Sequence, residues 1–146
     1  MSSTQAQQLF VTWCNDLKSL QGHVLNASSG SGGGEVHCFM EGFRDWLVAN
    51  GHSFPVASSA DFLTRLQAYT QDSSSLDYRS VSAYGFLNGQ MRYASIDVVT
   101  NIAFRDPASV KDQAIDYWNN YVATLSSNAA SNANTAGLSK GKMAGG

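Results

Sequence analysis

Cys14 and Cys38 are the side chains with the most distinctive potential chemistry in this sequence. They are 24 residues apart and fall on two predicted helices that flank a glycine- and serine-rich stretch. In an oxidising compartment, a disulfide between them would clamp the helices together and stabilise the fold by about 3 kcal/mol. We expect this disulfide if the chain is extracellular or lumenal. Two free core thiols are the alternative, since Cys14 lies on the apolar stripe of its helix.

A metal centre or a catalytic site has less support in the sequence. Cys14, Cys38, His23 and His37 would have to converge from three places, and no C-x-x-C or H-x-x-x-H spacing connects them. The G-x-S-x-G pattern of a nucleophilic serine is also missing from the sequence. Asp97 could act as an acid or a base if it were buried, although a hydrogen-bonded aspartate on a strand is the simpler interpretation. We therefore expect no catalytic residue, no metal and no cofactor.

Aromatic side chains are the main candidates for ligand binding. Six of them recur at helical spacing, which is typical of a core but could also build a lipid-contacting groove. These candidates are Trp13, Phe39, Phe43, Trp46, Trp118 and Tyr121. In addition, Asn26-Ala-Ser28 matches the N-glycosylation sequon, which would suit a surface loop of a secretory protein.

Composition and charge narrow the class of protein. The 146 residues suit one domain rather than two. A formal net charge of −2 argues against a nucleic-acid binder, which would present a basic surface. No apolar run approaches the roughly 18 residues that a membrane-spanning helix needs. An apolar fraction of 43% is nevertheless enough to form a packed core.

The spacing of apolar residues predicts the elements that would position these side chains. Four stretches have a helical period, within residues 10–20, 36–47, 58–69 and 106–125. Between the last two the period becomes two, and Asn88-Gly89 predicts a tight hairpin turn that places Tyr84 opposite Tyr93. This order predicts an α+β fold in which helices pack on a small antiparallel hairpin or sheet, as a partial ferredoxin-like (split βαββαβ) arrangement.

Local composition divides the chain into four parts. We expect an N-terminal helix within residues 1–27, a Gly/Ser linker at 28–34 and the main α+β domain at 35–126. Residues 127–146 are predicted to form a flexible tail, because their sparse apolar side chains cannot offset the entropic cost of ordering the backbone. The sequence alone does not distinguish a natural loop at 28–34 from an engineered joint.

Three consecutive segments form the most specific pattern in the chain. They are Cys38-Phe-Met-Glu-Gly-Phe-Arg-Asp-Trp-Leu47, Gly51-His-Ser-Phe-Pro-Val56 and Phe62-Leu-x-x-Leu66. Together with an upstream helix that carries Trp13, and a downstream strand and helix, they cover about residues 8–126. This pattern resembles an extracytoplasmic segment of the Patched/Dispatched-like proteins, which belong to the resistance-nodulation-division superfamily of membrane transporters.

The resemblance implies an extracytoplasmic, porter-type domain with a ferredoxin-like core. In such proteins these domains line a route for sterols or lipid-modified cargo, whereas the ion-coupling acids lie in transmembrane helices. It also implies that Cys38 pairs with Cys14 and that Phe39, Phe43 and Trp46 are packing residues. The expected partners are the remainder of a membrane transporter and a lipid or lipidated protein cargo, and not a nucleic acid.

The resemblance implies a non-catalytic module on the extracellular or lumenal side of a membrane, as part of such a transporter. A free-standing protein-interaction domain is the first alternative. A small-ligand-binding domain or an enzyme that uses an aromatic pocket and Asp97 is the second.

Overall fold

The computed structural model of the protein describes residues 2–28, 33–80 and 83–131. These residues form five α-helices and four short strands, with a single 3₁₀ turn at Ser73–Ser75. In chain order the elements are α1 (Thr4–Lys18), β1 (Val36–His37), α2 (Phe39–Ala49), α3 (Ser59–Gln71), α4 (Leu76–Ser80), β2 (Tyr84–Leu87), β3 (Gln90–Ala94), β4 (Asp97–Val98) and α5 (Ala108–Ser131). The predicted α+β class is therefore confirmed.

The core lies where α1, α2 and α3 pack against one another. Apolar residues recur at helical spacing on each helix, so that each buries a continuous face. Phe43 meets Phe62 edge to face, with ring centroids 5.7 Å apart. The side chains of α2 and α3 with no exposed surface are Phe39, Met40, Phe43, Leu47, Phe62, Leu66 and Tyr69.

A disulfide bond joins α1 to the start of α2. Cys14 and Cys38 are bonded, with their Cα atoms 6.1 Å apart, and both are buried. Cys38 is the N-cap residue of α2 and makes no side-chain capping hydrogen bond. The covalent link thus fixes the point at which the most deeply buried helix begins, and the predicted pairing is confirmed.

Gln7 is a buried polar side chain that attaches a loop to α1. Its Nε2 donates to the carbonyl of Val56 at 2.9 Å, and its Oε1 accepts from the Val56 N–H at 2.8 Å. The amide of Gln7 therefore satisfies both backbone groups of a residue that would otherwise be buried without partners. This contact holds the segment that leads to Ser58, whose side chain caps α3 by accepting from the Asp61 N–H.

The strands form two small antiparallel sheets within the described residues. In the first, β1 pairs with β4, so that Val36 lies opposite Val98 and His37 opposite Asp97. The helical spacing of apolar residues assigns Val36 to the second helix. That assignment is wrong, because Val36 lies in β1.

The second sheet is the predicted hairpin of β2 and β3. Asn88-Gly89 forms its turn with φ values of 52° and 73°, as expected. Tyr84, however, lies opposite Ala94 and not Tyr93, because the register shifts after Gly85. Tyr93 instead faces Gly85, where a Cβ atom would lie 2.3 Å from its ring. The absence of a side chain at residue 85 therefore makes room for the tyrosine.

The segments predicted from composition are only partly described. Residues 29–32 of the linker and residues 132–146 of the tail lie outside the described residues. The helix α5 continues through Ser131. Residues 127–131, which the composition assigns to a flexible tail, are therefore helical.

Candidate functional site

The six aromatic candidates fall into enclosed and accessible groups. Phe39 and Phe43 have no exposed surface and contact other rings in the core, Phe39 against Phe10 and Phe43 against Phe62. A ligand could reach them only if the core opened, so they serve as packing residues in the folded protein. Trp13, Trp46, Trp118 and Tyr121 are each half-buried and remain accessible.

The accessible aromatic residues of α5 form a continuous surface, here called the aromatic strip, which consists of Tyr117, Trp118 and Tyr121. Residues three and four apart on a helix lie on the same side, and the ring centroids are 5.4 to 6.2 Å apart. All three side chains are half-buried, and no side chain of α5 through Asn128 is fully buried. The strip is therefore both the attachment of α5 to the rest of the chain and a surface open to solvent.

His23 extends the aromatic strip from another part of the chain. Its ring is stacked on that of Tyr117, with centroids 3.4 Å apart and planes within 2° of parallel. His23 lies in the turn that follows α1, and its backbone carbonyl accepts a hydrogen bond from the Asn101 N–H. Segments far apart in sequence thus meet at this stack.

A cavity of about 240 Å³ adjoins the strip. It lies between the turn at Gly22-His23, the segment 101–106 and the first three turns of α5, and Trp118 forms part of its wall. Polar groups from Asn101, Asp106 and Gln113 share the lining with apolar side chains. Such a mixture suits a ligand that is largely apolar and has a polar end.

Burial raises the pKa of both tyrosine hydroxyls in the strip above their ordinary value. For Tyr121, the carboxylate of Asp16 on α1 adds to this effect. Both side chains therefore stay neutral at physiological pH, and the strip presents uncharged rings with hydroxyl groups at their edges.

A second accessible region surrounds Trp46 and is here called the Trp46 cleft. Its volume is about 430 Å³. The side of α2, the 3₁₀ turn and α4 contribute its walls. The lining residues are Gly42, Asp45, Trp46, Ala49, Asp72, Ser74, Asp77 and Tyr78.

The remaining predicted sites lie apart from these two regions. Trp13 is half-buried on α1, and its ring packs against no other aromatic ring among the described residues. Asp97 is half-buried on β4 and lines neither cavity. Asn26 is exposed, as the glycosylation prediction requires, and adopts a left-handed conformation with φ of 60° while its Nδ2 donates to Glu35.

Sequence reasoning missed the contact of His23 with Tyr117 and the carboxylates of the Trp46 cleft. No local pattern links His23 to Tyr117, because their contact depends on how α5 folds back. Asp72 did have a signal: an aspartate followed by serines favours a turn in which the side chain accepts from the backbone, and Asp72 Oδ1 accepts from Ser74 N–H at 2.9 Å.

Comparisons with known protein families, curated proteins and solved structures find no match to the chain. Within the described residues, no group of three His, Cys, Asp or Glu side chains is placed to hold a metal ion. None of the helices in this part of the chain has the length and apolar character needed to cross a membrane.

Proposed function

We propose that the chain is a non-catalytic, extracytoplasmic binding module of a Patched/Dispatched-like membrane transporter, in which the aromatic strip contacts a sterol or lipid-modified cargo. The observation that carries the proposal is the burial pattern of α5. Its aromatic residues are grouped on one surface and each is partly exposed, and Trp118 also lines a cavity with mixed polar and apolar lining. A sterol has a matching chemistry, with a rigid apolar body and one hydroxyl group.

The disulfide supports the extracytoplasmic part of the proposal. Stable disulfides are typical of secreted and lumenal proteins, because cytosolic thiols are kept reduced. Cys14 and Cys38 are both enclosed in the core and form part of the structure that fixes α2.

Energy transfer to a fluorescent sterol tests the proposal. In a Trp13→Phe/Trp46→Phe background, Trp118 is the remaining tryptophan and can transfer energy to bound dehydroergosterol. We expect transfer that saturates with sterol concentration and falls at least several-fold in Tyr121→Ser. Val48→Ser is the matched control, since Val48 is 64% exposed on α2 and belongs to neither cavity.

Two results would contradict this function. One is the absence of saturable transfer from Trp118, and the other is an equal loss of transfer in Val48→Ser and Tyr121→Ser.

A protein-interaction domain is a second candidate, favoured by exposed apolar side chains on α5 and just before it. Phe104 is 94% exposed just before α5, and Val110 and Ile115 are 42% and 49% exposed on it. Under this alternative, light scattering after size exclusion would show self-association that Phe104→Ser removes, and sterol would produce no saturable transfer.

A further inference from the structure

The Trp46 cleft is strongly negative. Asp45, Asp72 and Asp77 contribute to its lining, whereas none of its lining residues is a lysine, arginine or histidine. Arg44 Nε donates to Asp45 Oδ1 at 2.9 Å and offsets part of that charge. A cationic ligand would therefore be favoured in the cleft.

Two carboxylates of the cleft, those of Asp72 and Asp45, already have hydrogen-bond or ion-pair partners within the protein. Asp72 Oδ1 accepts from the Ser74 N–H at 2.9 Å and from the Ser74 hydroxyl at 2.7 Å. These bonds, together with a smaller contribution from Trp46, lower the pKa of Asp72, so that its side chain stays ionised. Asp45 is paired with Arg44. The cleft thus has fixed negative charges whose hydrogen bonds are made within the chain.

Two aromatic rings also line the cleft. Trp46 and Tyr78 are half-buried, and the rings of Phe43 and Tyr69 lie behind Trp46 at 6.2 and 5.7 Å between centroids. Gly42 allows Tyr78 to approach α2, since a Cβ atom at residue 42 would lie 2.6 Å from the Tyr78 ring. The closeness of this ring to the helix therefore depends on a glycine.

The tyrosines of this region respond to the same negative charge. Burial is the main reason that the pKa values of Tyr69 and Tyr78 are raised. Nearby carboxylates raise them further, with Asp45 acting on both. The carboxylates therefore lie close enough to these two tyrosines to act on their hydroxyl groups.

The indole nitrogen of Trp46 is a separate unusual feature of the cleft. Trp46 Nε1 is enclosed and makes no hydrogen bond among the described residues. Its N–H is close enough to Asp72 to help lower the pKa of that carboxyl group, although the geometry is not that of a hydrogen bond.

We propose that the Trp46 cleft binds a trimethylammonium group, the cationic end of choline and related compounds. A quaternary ammonium ion has no N–H groups, so it needs negative potential and aromatic faces rather than free acceptors. The cleft offers that combination through Trp46, Tyr78 and the carboxylates. This site shares no lining residue with the cavity beside the aromatic strip, and the inference goes beyond the proposed function.

Titration with choline tests the site, with 3,3-dimethyl-1-butanol as its uncharged isostere. The fluorescence of Trp46 in a Trp13→Phe/Trp118→Phe background reports binding. We expect a saturable change with choline in the millimolar range, no such change with the isostere, and weaker choline binding at high salt. Asp72→Asn should weaken binding about 2- to 5-fold, whereas Asp112→Asn, the same change on the exposed face of α5, should have no effect.

Tyr78→Leu provides a second variant, because it removes an aromatic face without changing charge. Circular dichroism confirms that each variant is folded before titration. Equal binding of choline and its isostere, or choline affinity that is unchanged in both Asp72→Asn and Tyr78→Leu, would overturn the proposal.

The trimethylammonium group could come from a free solute or from a lipid headgroup, and vesicles distinguish these sources. If flotation with phosphatidylcholine vesicles depends on Tyr78, the source is a headgroup. If choline binds but such vesicles do not, the source is a free ammonium compound. Tyr121→Ser, which should lower sterol transfer at least several-fold, should leave choline titration unchanged, so failure of one proposal is distinguishable from failure of the other.

Discussion

The helices α2 and α5 are stabilised in opposite ways. α2 has 11 residues, four of them without any exposed surface, and its first turn is tied to α1 by a disulfide. α5 has 24 residues, yet none through Asn128 is fully buried. Most helices in proteins depend on tertiary packing of an apolar face. The comparison therefore indicates that α2 belongs to the fixed core, whereas α5 is held by partly exposed side chains, which suits the binding role proposed for it.

Paired truncations on the two helices should show the largest difference. Phe43→Ala removes a fully enclosed ring and leaves a cavity, so we expect it to lower the free energy of unfolding by about 3–5 kcal/mol. Trp118→Ala removes a half-exposed ring of α5 and should cost only about 1 kcal/mol. Urea titration of both variants measures these values, and similar losses would remove the distinction between the helices.

Loss of the disulfide should have the next largest effect on the free energy of unfolding. That effect should be confined to the core around α1 and α2. A Cys14→Ala/Cys38→Ala variant loses a link that closes a loop between residues 24 positions apart, and should be destabilised by about 3 kcal/mol. Denaturant titration measures the loss. Binding by the aromatic strip in the folded variant should be unchanged, and a selective loss of sterol transfer would show that α5 depends on the clamp.

Gln7 tests whether buried hydrogen bonds also contribute to the rigid region. Gln7→Leu leaves the N–H and carbonyl of Val56 without their partner, and should cost about 2–3 kcal/mol. Gln8→Leu is the control, because Gln8 is exposed and adjacent. Thermal unfolding of both variants would give equal midpoints if the Gln7 amide had no structural role.

The smallest expected effect is a difference in stability at alkaline pH. Burial raises the pKa of Tyr69 above its ordinary value near 10. Because its folded-state pKa exceeds the unfolded one, its contribution is complete below about pH 10 and is lost as the pH rises toward the folded pKa. Tyr69→Phe should therefore lose stability less steeply above pH 10 than the unmodified chain. Parallel slopes in urea titrations across this pH range would contradict the assignment.

The core formed by α1, α2 and α3 was easier to predict from the sequence than the candidate sites. The helical spacing of α2, the cap at Ser58 and the pairing of Cys14 with Cys38 depend on local pattern or on a choice between few partners. The register of the hairpin could not be predicted in the same way, because it depends on Tyr93 packing over Gly85.

The candidate sites were less predictable because they are made by distant segments. The sequence identified Trp118 and Tyr121 as candidates, but the stack of His23 on Tyr117 results from the return of α5 to the turn after α1. The Trp46 cleft likewise joins α2 to a turn and a short helix that come after α3. The spacing of residues along one helix does not predict either of these contacts between distant segments.

Hydrogen exchange of individual backbone amides tests the central comparison most directly. In α2, amides should exchange only through global unfolding, because four of its side chains are enclosed. In α5, amides should exchange through a local opening of lower free energy, and saturating sterol should slow that exchange selectively. Equal protection of the two helices, with no change on addition of sterol, would contradict the view that α5 is the exchangeable binding element of an otherwise fixed core.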